Sequence, residues 1–362
     1  MILLNPGPVV LSERVRRALG NPDLCHREPE FAALQGTIRQ RLVDVYGLSP
    51  SRYAAVLLTA SGTGAMEAMV TSLVPEGGRL AIIENGIYGE RLSRIAEVHG
   101  VAHAAFRLGW GDPIDLGRLS AWLVEHAETT HLVVVHHETT TGRLNPVAEI
   151  GEVCRARGIR LLVDAVSSFG GEALDFDGWG IAACAATANK CLHGVPGASF
   201  VILRREMLPA AGARPRTLYL DLGTYCRAQD RGETPFTQSV QVFYALAEAL
   251  AEFGEEGGWT ARHARYARLA GQVRAGLTTL GFRPVLPEEA SSVVLTAYHL
   301  PEGLTYAVLH DHLKAHGFVI YSGQGRLANS IFRLSTMGAI AAVDIDRLLE
   351  TFRALPFAEA VA

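Results

Sequence analysis

The chain has 362 residues, of which 49% are hydrophobic and 19% charged, so it is long and apolar enough to bury a large core. A formal net charge of -4 and the absence of any basic run argue against a nucleic-acid binder, and no apolar run reaches the ~18 residues of a membrane-crossing helix. The start, Met-Ile-Leu-Leu-Asn-Pro-Gly-Pro, has neither a basic leader nor a long apolar stretch, and a soluble, cytoplasmic protein is the expectation.

In chain order, an extended arm through Pro8 precedes a helix over 12–19 that Ser12 can cap, and a polar loop over 24–31 leads into a long amphipathic helix ending near 46–47. The apolar run 54–58 predicts a buried strand. It enters Thr59-Ala60-Ser61-Gly62-Thr63-Gly64 and then a helix over 65–73, an order that offers backbone N–H groups and hydroxyls to a phosphate at a helix start. Strands at 79–83, 102–107, 131–136, 160–163 and 199–203 alternate with helical stretches at 89–99, 115–125 and 147–157. That alternation predicts an α/β fold with a mostly parallel sheet covered on both faces. Ligands of such sheets sit beyond the carboxyl ends of the strands, where Ser61, Tyr88, Thr139 to Thr141 and Asp164 emerge.

A helix over 239–253 leads into Gly254-Glu255-Glu256-Gly257-Gly258, which we read as a domain boundary. Beyond it come a strand at 291–298, a helix at 306–316, strands at 318–321 and 330–334, and a last helix at 341–355. The expected division is an arm over 1–15, a large domain over 16–254 and a smaller α+β domain over 255–362. Cys25, Cys154, Cys184, Cys191 and Cys226 are odd in number and lack metal-ligand spacing, which argues against disulfides and any metal site, and they read as small buried residues.

Lysine is the informative residue. Only Lys190 and Lys314 occur, although Lys and Arg together number 33. Arginine can serve at any surface cation, but only a desolvated lysine can lose its proton near neutral pH and act as a nucleophilic amine. Lys190 lies in a small, apolar stretch that supplies such desolvation. A phosphate turn, then an aspartate closing the run Leu161-Leu162-Val163-Asp164, then Lys190, is what pyridoxal 5'-phosphate requires. The turn holds the phosphate, the aspartate keeps the pyridine nitrogen protonated, and the lysine carries the aldehyde as an imine.

His137-Glu138-Thr139-Thr140-Thr141-Gly142, Val163-Asp164-Ala165-Val166-Ser167-Ser168-Phe169-Gly170-Gly171 and Ala188-Asn189-Lys190-Cys191-Leu192-His193-Gly194 resemble the class V aminotransferases, over nearly the whole chain. Within that class the resemblance is closest to the branch that moves the amino group of 2-aminoethylphosphonate to pyruvate. It implies the type I fold of pyridoxal-phosphate aminotransferases. It also implies Lys190 as catalytic, and Ser61, Gly62, Thr63, Tyr88, Thr141, Asp164, Asn189, Lys190 and Thr237 at the cofactor, with Tyr88 stacking on the ring. Thr139 or Thr140 takes the place of Thr141 if the register shifts. Thr237 matches a phosphate contact given by the neighbouring subunit, which implies a homodimer with shared sites. Arg333, in Phe332-Arg333-Leu334, resembles the anchor for the acidic end of the substrates, with Pro8 and Arg27 as further substrate contacts; Arg27 suits a doubly charged phosphonate but equally suits a solvated surface.

Departures from the branch leave other readings open. Ile320-Tyr321-Ser322-Gly323 differs from its usual Ile-Tyr-Pro-Gly, and Cys25-His26-Arg27-Glu28-Pro29-Glu30-Phe31 is similar to the alanine:glyoxylate and serine:pyruvate branch. The alternatives are such an aminotransferase, or a lyase acting on an aminophosphonate with the same cofactor. A cysteine desulfurase is disfavoured because no cysteine follows Cys226, and a non-enzymatic binding protein because Lys190 is retained.

Overall fold

The computed structural model describes residues 1–209 and 214–355. The first half carries β1 (Ile2–Leu3), α1 (Glu13–Ala18), α2 (Pro29–Asp44), β2 (Tyr53–Leu58), α3 (Gly62–Leu73), β3 (Leu80–Glu84), α4 (Ile87–Val98), β4 (His103–Arg107), α5 (Leu116–Glu125), β5 (His131–Val135), β6 (His137–Glu138), β7 (Arg143–Leu144), α6 (Val147–Arg155) and β8 (Arg160–Asp164). The second half carries β9 (Ile181–Thr187), β10 (Ser199–Arg204), α7 (Leu222–Asp230), α8 (Val240–Glu256), α9 (Gly258–Thr279), β11 (Leu295–His299), α10 (Tyr306–Ala315), β12 (Phe318–Val319), β13 (Tyr321–Ser322), β14 (Ile331–Ser335) and α11 (Ala342–Arg353).

Seven strands form the central sheet in the order β2-β10-β9-β8-β5-β3-β4. β10 runs antiparallel to both its neighbours and the other pairs are parallel, as expected of a mostly parallel sheet. Every residue of β2, β3, β5 and β9 is buried, because helices cover both faces and leave no side for polar residues. One face packs on α2, α5, α6 and α8 through Phe31, Ile38, Leu119, Ile150 and Phe243. The other packs on α3, α4 and α7 through Met66, Met69, Leu92 and Tyr225.

The smaller C-terminal part is a three-stranded antiparallel sheet, β11-β14-β13, with α9, α10 and α11 against it. Phe282, Tyr298, Phe332 and Phe352 make its core, joined by Leu269, Val273 and Leu277 from α9. The arm crosses to this part. β1 pairs in parallel with β12, and Leu4 enters the same core. As a result, residues 5–8 are drawn across the ends of the central strands.

Three readings need correction. β9 and α7 were not expected. β9 reads Ile-Ala-Ala-Cys-Ala-Ala-Thr, and alanine has little strand preference, but a buried strand under α3 needs small side chains on the face that the helix approaches. The glycine-rich break is also narrower than expected: α8 runs on through Gly254 to Glu256, and only Gly257 and Gly258, at φ 106° and 74°, turn the chain into α9. Four cysteines are buried as expected, whereas Cys25 is exposed. The expected small domain over 255–362 includes 356–362, which lie outside the described residues. Among the described residues no helix is long and apolar enough to cross a membrane, and no group of side chains could hold a metal ion.

Candidate active site

A cavity of about 410 Å³ opens beyond the ends of β2 and β9, lined by Ser61, Gly62, Thr63, Tyr88, Asn189 and Lys190. The turn between β2 and α3 forms its floor. Ser61 caps α3, its hydroxyl accepting from the Gly64 N–H at 3.4 Å. Gly62 must be glycine, because a Cβ there would stand 2.8 Å from Val166 Cγ1. The turn thus keeps free N–H groups and a helix start directed at one place, the arrangement that binds a phosphate.

Lys190 follows β9 in a tight turn, beside Asn189, whose carboxamide oxygen accepts from Thr187 Oγ1 at 2.8 Å. Its amine donates to the Pro6 carbonyl of the arm. Gly7, at φ 121°, packs so closely on Lys190 that a Cβ would lie 2.9 Å from Nζ. Burial pushes the Lys190 ammonium down to about 8; Cys191 and Asp164 oppose this while Arg333 and Arg91 add to it. An amine with that value is partly neutral near physiological pH and can act as a nucleophile.

Asp164 ends β8, buried, with Oδ1 accepting from the Val166 N–H at 2.9 Å. Burial pushes its carboxyl up to about 6, and the Val166 N–H, Arg91 and Lys190 hold it from rising further. It remains largely a carboxylate at neutral pH, able to hold a protonated ring nitrogen.

The β6–β7 hairpin carries Thr139, Thr140 and Thr141 to the start of α4, next to Tyr88 of the cavity lining. The Oγ1 atoms of Thr139 and Thr141 are buried without partners, whereas Thr140 is committed to structure. Thr140 donates to Glu138 Oε1 at 2.6 Å and accepts from the Ile87 N–H at 3.1 Å. Glu138 also accepts from the Tyr88 N–H at 3.3 Å, and burial pushes its carboxyl up to about 7. The Glu138–Thr140 pair therefore fixes the start of α4 and with it the Tyr88 ring.

Arg333, on β14, is only 2% exposed. Its Nε donates to the Ser322 carbonyl at 2.9 Å, and Nη1 to the Thr139 carbonyl at 3.0 Å and to Gln324 Oε1 at 3.2 Å. Its hydrogen-bond acceptors among the described residues are all neutral, which leaves a buried cation without a direct ion pair. An uncompensated buried charge is costly, and an anionic ligand would relieve it.

Asp164, Thr141 and Arg333 do not line the cavity, and neither do Pro8, Arg27 and Thr237. Pro8 is exposed, its carbonyl accepting from Asn5 Nδ2 at 2.9 Å. Thr237 is exposed on the loop before α8, while its neighbour Gln238 is tied to Thr59 Oγ1 at 2.9 Å. Arg27 is exposed ahead of α2 and lines no part of the cavity. Two site residues were missed. Glu138 could have been found as an acid set between a buried histidine and three threonines. Arg91 lines the cavity and lies three residues after Tyr88, on the same helical face.

The aminotransferase class-V family profile matches residues 12–346. The chain is a class V aminotransferase. This aminotransferase is 39% identical over 356 residues to the 2-aminoethylphosphonate–pyruvate transaminase of Aeromonas hydrophila, covering 96% of this chain and 93% of that one. It is 37% identical over 357 residues to the enzyme of the same name from Vibrio cholerae, covering 97% and 96%. Among solved structures, alanine–glyoxylate aminotransferase from Nostoc sp. superposes with a TM-score of 0.91 at 28% identity, covering 98% of this chain and 94% of that one.

The aminotransferase cavity fits pyridoxal phosphate on its own chemistry. Its lining holds a phosphate turn, the Tyr88 ring, the Arg91 guanidinium and the Lys190 amine, and the Asp164 carboxylate accepts from the N–H of the lining residue Val166.

Proposed function

We propose that this aminotransferase uses pyridoxal 5'-phosphate to move the amino group of 2-aminoethylphosphonate to pyruvate, yielding phosphonoacetaldehyde and L-alanine. The donor and acceptor are those in the names of relatives at 37% and 39% identity over nearly the whole chain. The observation that carries the reading is Arg333, a buried guanidinium without a carboxylate partner. Its planar fork suits the oxygen arrays of both a phosphonate and a carboxylate.

When bound, the cofactor supplies an aldehyde for amine capture and a ring that accepts the electron pair left on the substrate carbon. Ser61, Gly62 and Thr63 hold its phosphate, and Tyr88 supports the ring. Asp164 keeps a proton on the ring nitrogen. Thr141 or Thr139 donates a hydroxyl to the phenolic side. Lys190 would hold the cofactor's aldehyde, and its Nζ would be the base that takes the proton from the donor carbon. The Pro6 carbonyl, which accepts from Nζ, orients that amine. Arg333 binds the acidic ends of the two substrates in turn. Thr237 comes from the partner in a homodimer, and five free cysteines with no disulfide suit a reducing, cytoplasmic setting.

A second reading, a carboxylate-bearing donor such as alanine or serine, is supported by the likeness to alanine–glyoxylate aminotransferase. Single-turnover absorbance spectroscopy of the cofactor-loaded protein with 2-aminoethylphosphonate, alanine and serine separates the two. Fast conversion by the phosphonate with slow conversion by serine is expected. The reverse order would establish the second reading, and a borohydride adduct mapped to Lys314 instead of Lys190 would overturn both.

A further inference from the structure

We infer that Arg91 is the cation of the phosphate site, the residue that lets this chain distinguish a phosphorylated cofactor from its dephosphorylated form. This inference rests on the reading that pyridoxal phosphate occupies the cavity. Arg91 reaches back from α4 toward the turn of α3, and its Nη1 donates to Thr63 Oγ1 at 3.3 Å. Among the described residues Thr63 is its only hydrogen-bond partner, and Arg91 forms no ion pair with a carboxylate. The guanidinium is held over the Tyr88 ring, with Cζ 4.6 Å from the centroid. The helix spacing of three residues between Tyr88 and Arg91 makes that stacking possible.

The charge balance of the cavity gives this cation its task. A phosphate ester brings nearly two negative charges, whereas Ser61, Gly62 and Thr63 offer only neutral donors and a helix start. Lys190 is committed to the aldehyde end, and Arg333 is held on the Thr139 side by the Thr139 carbonyl and Gln324. Arg91 remains, already hydrogen-bonded to the turn and with donors to spare. Its positive charge also acts on Asp164 and Lys190, favouring the ionised carboxylate and the neutral amine.

The test is a binding titration of the apoprotein with pyridoxal phosphate and with pyridoxal, followed by absorbance and tryptophan fluorescence. Arg91→Gln should weaken pyridoxal phosphate by roughly 10- to 100-fold, the range of a lost charge-assisted hydrogen bond, and pyridoxal by less than about 2-fold. Pyridoxal binding doubles as the control for folding. Arg91→Lys, which keeps the charge without the fork, should weaken the phosphate form by roughly 3- to 10-fold and carries the test if the glutamine variant does not fold. Equal weakening of both ligands, or of neither, would overturn the inference while leaving the cofactor reading intact. If the unaltered protein binds neither ligand, the cofactor reading fails first and this one with it.

Discussion

Lys190 and Arg333 are both cations taken out of water without a direct ion pair among the described residues, and the difference between them is chemical. Burial brings the Lys190 ammonium to about 8, within reach of deprotonation, whereas a guanidinium lowered by burial still keeps its proton. The one can lose its proton and act as a nucleophile, and the other can only stay a cation that an anion would neutralise. Arg333→Lys should therefore raise the substrate concentration needed in both half-reactions and cut kcat/KM by about 30- to 1,000-fold, the effect of ~2 to 4 kcal/mol lost from a buried charge-assisted pair. The absorbance of the resting enzyme should not change. Stopped-flow traces with 2-aminoethylphosphonate and with pyruvate read the two halves separately, and damage to the pyruvate half alone would mean that the phosphonate is held by other groups. Lys190 was legible because lysine is scarce in this chain. Arg91 was not, since it is one arginine among many and only the fold brings α4 beside the turn of α3.

Between elements, the large sheet is braced to the C-terminal part through Glu172 and His263. Glu172 accepts from Ser292 Oγ at 2.5 Å and from the Val293 N–H at 2.9 Å, and His263 Nδ1, on α9, lies 3.3 Å from its other oxygen. The Glu172 hydrogen bond raises the His263 value above 6.5 despite partial burial. Burial pushes the Glu172 carboxyl up, but His263 and Ser292 outweigh it and hold it below 4.5. The folded chain thus binds the His263 proton more tightly than the unfolded chain does. That contribution is whole below about pH 6.5 and is lost as pH rises through the folded value. The carboxylate contribution is whole above about pH 4.5 and is lost as pH falls through its own lowered value. The melting temperature of His263→Gln should fall furthest below that of the parent between about pH 4.5 and 6.5, and the gap should narrow on the alkaline side. A gap that does not vary with pH would show that the ring only fills space. The brace could not be foreseen, because its partners are 91 positions apart in the chain.

For the whole molecule, the test is whether a second copy completes the proposed site. Leu218 and Tyr219 are 80% and 41% exposed, Tyr219 donates to the Thr59 carbonyl at 3.0 Å beside the phosphate turn, and Thr237 faces outward. Large apolar side chains exposed beside a binding site suit burial by a second copy. Lys190→Ala and Thr237→Arg should each be nearly inactive as homodimers. Co-expressed, they should recover about a quarter of the parent activity, because half the dimers are hybrids and each hybrid carries one intact site. No recovery in isolated hybrids would mean that Thr237 does not act across the interface. An active Thr237→Arg homodimer would remove Thr237 from the site altogether.

Local information was enough for the alternation of strands and helices, the glycine turn before α3, the strand-end Asp164 and the isolated Lys190. Each depends on backbone conformation or side-chain chemistry within a few residues, and such constraints leave marks at short range. Tertiary structure decided what no short stretch can encode. The alanine-rich β9 became a central strand because helices bury both its faces, and the arm was pulled over Lys190 because β1 pairs with β12 some 316 residues away (318 minus 2). The same folding brings Arg91 to Thr63, Glu138 to Tyr88 and Arg333 to the Thr139 carbonyl. These are contacts between polar groups from separate elements, and their value depends on the desolvation that those elements create together, which no single short stretch encodes.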